Sequence, residues 1–149
     1  MNRPVLRRVV LALALAALVP AASAQAQAAA DDSLYLALGS RPGLVRLMDD
    51  FMVRLLADPR MRPFFKDVNQ VHVKAQLVDQ FCQVCGGPCQ LKGPGMREVH
   101  EGFEIRKADF NALVEVLQEA MDAQGIPFAA QNRLLSRLAP MHREIINTP

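Results

Sequence analysis

Three cysteines and three histidines carry most of the chemistry open to this sequence of 149 residues. Cys82, Cys85 and Cys89 read C-x2-C-x3-C. No His follows Cys85, so the attachment motif of a c-type haem is absent. Three thiols also fall one short of the usual four-ligand zinc or iron–sulfur site. In an oxidising compartment a disulfide is the natural use of such a cluster, with one thiol left over. Of His72, His100 and His142, only His100 follows a long Gly- and Pro-rich interval, residues 86–95, and precedes an amphipathic segment. No G-x-S-x-G, H-E-x-x-H or phosphate-binding loop occurs, so no catalytic residue is assigned.

The elements that must position these groups read as helices throughout. Ser33 is suited to cap a short turn that stops at Gly39. Pro42 opens a helix on which Leu44, Leu47, Met48, Phe51 and Leu55 recur at three- and four-residue steps. Pro59 and Pro63 confine the next stretch to a tight turn or short helix. Asn69 caps a third helix with Val73, Leu77, Phe81 and Val84 on one face, ended by Gly86-Gly87-Pro88. Phe110, Leu113, Val114, Leu117 and Met121 line a fourth, closed by Gly125. Pro127 opens a last one with Leu134, Leu135, Leu138 and Met141, bent at Pro140. No run alternates with period two for long, so the fold class is all-α, a small bundle.

The first 24 residues have the three parts of a secretory signal. Arg3, Arg7 and Arg8 form the basic start, Val9 to Val19 the apolar run, and Ala22-Ser23-Ala24 the small-x-small cleavage site. The apolar run is about 11 residues, short of the ~20 needed to span a bilayer, so no stable membrane anchor is expected. Arg7-Arg8 is also compatible with twin-arginine export. The expected division is a signal peptide over 1–24, a flexible lead-in over 25–32 and one domain over 33–149. The product is exported, to the periplasm if the host has one. Without those three arginines, the 17 basic residues fall to 14 against 15 acidic ones. That balance, with seven Phe, one Tyr and no Trp, offers nucleic acid neither charge nor stacking surface. Hydrophobic residues at 51% exclude a mostly disordered chain.

Several short stretches, collinear from Leu34 to Ile145, carry a resemblance. They are Asp49-Asp50-Phe51, Leu56-Ala57-Asp58-Pro59, Pro63-Phe64-Phe65, Gly86-Gly87-Pro88, Met96 with Val99-His100, and Ala139-Pro140. In order and spacing they resemble the truncated haemoglobins of the first group. The resemblance implies a two-over-two helical sandwich around one haem b, with His100 as the proximal iron ligand. It places Phe65 on the porphyrin face and implies that Phe51, Met52, Val73, Leu77, Phe81, Met96, Ile105, Phe110 and Leu113 line the pocket. The chemistry agrees: haem iron takes a strong imidazole donor, and an apolar cage keeps water away. Lys74 and Arg97 are candidate partners for the haem propionates.

The distal side departs from the family pattern. Met52 stands where a Tyr usually donates to bound oxygen, Val73 and Leu77 where polar side chains are frequent, and Leu91 in place of a loop Tyr. An oxygen-poor, carbon monoxide- and nitric oxide-favouring pocket is expected. His72 lies about 100° from Val73 on an ideal helix and is expected beside the pocket, facing solvent near a propionate. A helix shift would make it a sixth iron ligand, and Met52 as an axial ligand would make the chain an electron carrier. Some truncated globins also resemble this chain at Cys82 and Cys89, which implies a bridge between them, with Cys85 left buried and inert or open to a partner. Cys82–Cys85 is the alternative pair.

The expected role is reversible binding of a diatomic gas. The rivals are electron transfer or nitric oxide dioxygenation, served by a reductant the sequence does not identify, and a haemless helical interaction module. The oligomeric state is not readable.

Overall fold

The computed structural model describes residues 31–148, so the expected signal peptide and most of the lead-in lie outside the described residues. The described chain is helical. The elements are α1 (Ser33–Ala37), α2 (Ser40–Ala57), α3 (Arg62–Phe65), α4 (Gln70–Val84), α5 (Met96–Val99), α6 (Lys107–Ala123), α7 (Phe128–Leu138), a 3₁₀ turn over Ala139–Met141, and α8 (His142–Ile145). Four long helices build the body. α2 packs on α4, α6 packs on α7, and the pairs meet through α2–α6 and α4–α7 contacts. This is the expected two-over-two arrangement.

The apolar stripes read from the sequence form the core. Leu44, Leu47, Met48, Phe51 and Leu55 of α2 meet Val78 and Phe81 of α4, Val116, Leu117 and Met121 of α6, and Leu134 of α7. Asn69 caps α4 as expected, its side chain accepting the His72 N–H at 3.1 Å. Two starts differ by a residue or two. The cap of α1 is Asp32 rather than Ser33, and α2 begins at Ser40, because Gly39 at φ +79° turns the chain before Pro42 is reached. The bend at Pro140 resolves into the 3₁₀ turn and a separate α8, since proline cannot donate to the helical ladder.

Asp58 and Arg60 stitch the corner after α2. Arg60 Nη2 lies 2.7 Å from Asp58 Oδ2, and its Nη1 lies 2.6 Å from Glu115 Oε2 on α6. Hydrogen bonds from the Arg60 side chain, opposed by partial burial, hold the Asp58 carboxyl down at about 2.

The Gly86-Gly87-Pro88 turn shows why glycine is needed. Gly86 has φ +86°, and a Cβ there would lie 2.3 Å from the Asp31 carbonyl oxygen. At Gly87 a Cβ would lie 2.6 Å from Cys82 Sγ and 2.7 Å from Tyr35 Cδ2. The Tyr35 ring has little room to yield, because its hydroxyl accepts the Arg41 N–H at 3.0 Å. Overpacking of this kind costs about 1–3 kcal/mol. Gly87→Ala is therefore expected to lower the melting temperature by roughly 5–15 °C in a thermal melt, and a variant melting with the wild type would contradict this packing.

Candidate functional site

The site begins with His100, the C-terminal cap of the four-residue helix α5. Its Nδ1 lies 2.7 Å from the Met96 carbonyl oxygen one turn earlier. A carbonyl can only accept, so Nδ1 carries the hydrogen and Nε2 keeps a free lone pair. That is the tautomer a metal-binding imidazole requires, fixed by the backbone. α5 packs chiefly on α8. The chain after His100 is held from the C-terminus: Asn147 Nδ2 donates to the His100 carbonyl at 2.8 Å, and the Ile105 N–H donates to Asn147 Oδ1 at 2.7 Å. The N–H groups of Asn147 and Thr148 donate in turn to the Ile105 carbonyl. Phe110 of α6 meets the His142 ring edge-on, with centroids 6.3 Å apart.

The apolar residues expected around the site fall into three sets. Phe51 and Phe81 belong to the packed core. Phe65, Leu77 and Leu113 are half-buried against its margin. Met52 and Ile105 are buried yet stand outside the core cluster, and Val73, Met96 and Phe110 are half-buried outside it too. Large apolar side chains are left half-covered on α3, α4, α5 and α6, and such surface is what a flat apolar cofactor would finish burying. α4 and α6 are not among the principal helix contacts. Gln80 is 9% exposed, and its Nε2 finds only thioethers, Met96 Sδ at 3.4 Å and Met141 Sδ at 3.3 Å. These are weak acceptors. On donor chemistry and uncovered apolar surface, the residues present fit a haem.

Several polar expectations are refined. His72 is exposed, as its angle from Val73 implied. Lys74 is held by Asp49 at 2.6 Å, so its ammonium is already engaged. Arg97 is exposed and makes no ion pair among the described residues. Cys82 and Cys89 form a disulfide, and Cys85 is buried with a free thiol. Burial pushes that thiol up to about 11, against the opposing charges of Arg137 and Arg133, so it is inert at neutral pH. The loop before α5 is held by the disulfide and by the Leu91 N–H, which donates to Gln83 Oε1 at 2.6 Å.

Sequence reasoning missed Gln80, Asn147 and Arg41. Gln80 gave a faint signal, a polar residue three positions after Leu77 on the same face. Asn147 gave none, because its partners lie 42 and 47 positions away. Arg41 donates to Asp79 at 2.7 Å and to Cys89 Sγ at 3.3 Å, contacts that likewise cross 38 and 48 positions.

Comparison with known proteins points the same way. The sequence model of the bacterial-like globins matches residues 33–147. The group 1 truncated haemoglobin GlbN of Mycolicibacterium paratuberculosis is 32% identical over 113 residues, 76% of this chain and 83% of that protein. The group 1 truncated haemoglobin of Tetrahymena pyriformis is 30% identical over 100 residues, 67% of this chain and 83% of that one. The crystal structure of the Tetrahymena pyriformis truncated haemoglobin in its Fe(III) form superposes with a TM-score of 0.74 at 26% identity, covering 77% of this chain and 98% of that chain. The 2/2 haemoglobin of Synechococcus, solved in the cyanomet state with covalently attached haem, shares the fold at a TM-score of 0.71 and 21% identity, covering 76% and 98%.

Proposed function

The chain belongs to the bacterial-like globins, among the group 1 truncated haemoglobins, and from that premise we propose that it holds one haem b through His100 and binds a diatomic gas reversibly. The observation that carries this is the hydrogen bond that His100 Nδ1 donates to the Met96 carbonyl at 2.7 Å, which leaves the Nε2 lone pair free for a metal. A haem held there would supply an iron atom able to bind a small ligand.

The chain's own residues set what happens on each side. Met96 O orients the imidazole and raises its basicity. Asn147 fixes the backbone carbonyl of His100 and the loop that follows. Phe65, Leu77, Leu113 and Phe110 offer the flat apolar contacts that bind a porphyrin and exclude water. Arg97, exposed on α5, is the candidate partner for a propionate, whereas Lys74 would have to leave Asp49 to meet one. The c-type attachment through a cysteine pair is not open to this chain, since no His follows Cys85 and two of the three cysteines are joined.

Met52, Val73 and Leu77 bring no donor to the gas side. A hydrogen bond to a charged acceptor contributes about 1.5–3 kcal/mol, so its absence favours carbon monoxide and nitric oxide over oxygen. Stopped-flow mixing of the haem-loaded ferrous chain tests this. Rapid oxygen release with persistent carbon monoxide binding is expected. Slow oxygen release, like that of globins with a distal Tyr, would overturn the apolar-pocket reading. Failure of carbon monoxide to shift the Soret band would overturn gas binding itself.

A further inference from the structure

The Cys82–Cys89 disulfide is not evenly buried. Cys82 is completely covered, whereas Cys89 is half-buried and lines an open groove of about 520 Å³ with Arg41, Gln76, Asp79, Gln90 and Lys92. Arg41 Nη1 donates to Cys89 Sγ at 3.3 Å while pairing with Asp79 at 2.7 Å. Lys92 makes no ion pair among the described residues, so the groove carries two cations against one carboxylate.

From this we propose that the disulfide is a thiol-exchange site, entered at Cys89 through the groove by a small thiol that bears carboxylates. The thiolate attacks Cys89 Sγ in line with the disulfide. A bond forms between the two sulfurs, the Cys82–Cys89 bond breaks, and Cys82 leaves as a thiolate that takes a proton from water. In the transition state one negative charge spreads over three sulfurs, and the Arg41 guanidinium sits on the central one. A second thiolate then attacks the sulfur of the bound small thiol. It departs as that thiol's own disulfide, and Cys89 is released as a thiolate held by Arg41. Two thiols are oxidised and one protein disulfide is reduced. Attack at Cys82 is closed by burial, and Cys85 is too deeply covered to act as an internal nucleophile. Lys92 and the excess positive charge attract the carboxylates.

Opening the bridge releases the turn before residues 90–95, the segment that leads to α5 and His100. The exchange chemistry does not rest on the haem reading, and its test reads sulfur alone. The oxidised full chain is mixed with glutathione or with uncharged 2-mercaptoethanol at matched thiolate concentration, quenched at early times, and mapped by peptide mass. The adduct is expected on Cys89, forming about 3–10-fold faster with glutathione at low salt, an advantage lost in Lys92→Gln and at high salt. Arg41→Gln is expected to slow both thiols by about 3–10-fold. Because Arg41 also ties α2 to α4, Asp79→Asn serves as a second variant: it leaves the arginine on the sulfur, frees its charge, and is expected to speed exchange. An adduct on Cys82 or Cys85, equal rates for the two thiols, or an Asp79→Asn rate at or below wild type would overturn the proposal.

Discussion

His100→Gly is expected to lose tight haem retention, and added imidazole to restore it. The expected fall in haem affinity is at least ~100-fold, since outer-sphere partners of a metal ligand alone contribute about 10–100-fold. The fold survives the change. His100 is half-buried, caps a helix of four residues and stands outside the core cluster, so no core cavity opens. Its carbonyl, which Asn147 holds, remains in the variant. A haem titration followed in the Soret region reads both parts. Glycine leaves room for free imidazole, which can then supply the missing nitrogen. Haem uptake by His100→Gly equal to that of the wild type would mean that another residue holds the iron.

Met52→Tyr is expected to slow oxygen release by roughly 10- to 150-fold while carbon monoxide release changes little. Met52 is only 4% exposed but lies outside the main core cluster, next in sequence to Phe51 inside it. A hydroxyl buried there without a partner would cost the haem-free variant about 1–3 kcal/mol of stability. With oxygen bound, the same hydroxyl has an acceptor of partial negative charge. The pairing of lower unliganded stability with slower oxygen release is specific to a hydroxyl that points into the gas site. Oxygen release unchanged in Met52→Tyr, with the protein folded and haem-loaded, would show that Met52 faces elsewhere.

The helices were legible because each is written in local terms. The stripe from Leu44 to Leu55, the Asn69 cap, and the glycines at 86, 87 and 125 act within a few residues of themselves. The family resemblance, carried by short collinear stretches, singled out His100. The parts that stayed hidden are long-range. Nothing near Asn147 announces that it clamps the loop of His100 and Ile105, and nothing near Arg41 announces a sulfur acceptor 48 positions away. Lys74 shows the opposite failure. Its charge and place suggested an anion of the cofactor, but Asp49, across the α2–α4 contact, claims it first. The expected pocket residues also divided in a way that periodicity does not encode. Phe51 and Phe81 pack in the core, whereas Met52, one position off the stripe of Phe51, and Val73, on the same stripe as Phe81 but two turns earlier, stand outside it.

The proposed function turns on one bond, from His100 Nε2 to iron. Resonance Raman spectroscopy of the ferrous, gas-free, haem-loaded full chain reads that bond directly. An iron–imidazole stretching band is predicted in the wild type, absent in His100→Gly and regained when imidazole is added. A wild-type spectrum without that band, or one that His100→Gly leaves unchanged, would contradict the assignment and the gas-binding function built on it.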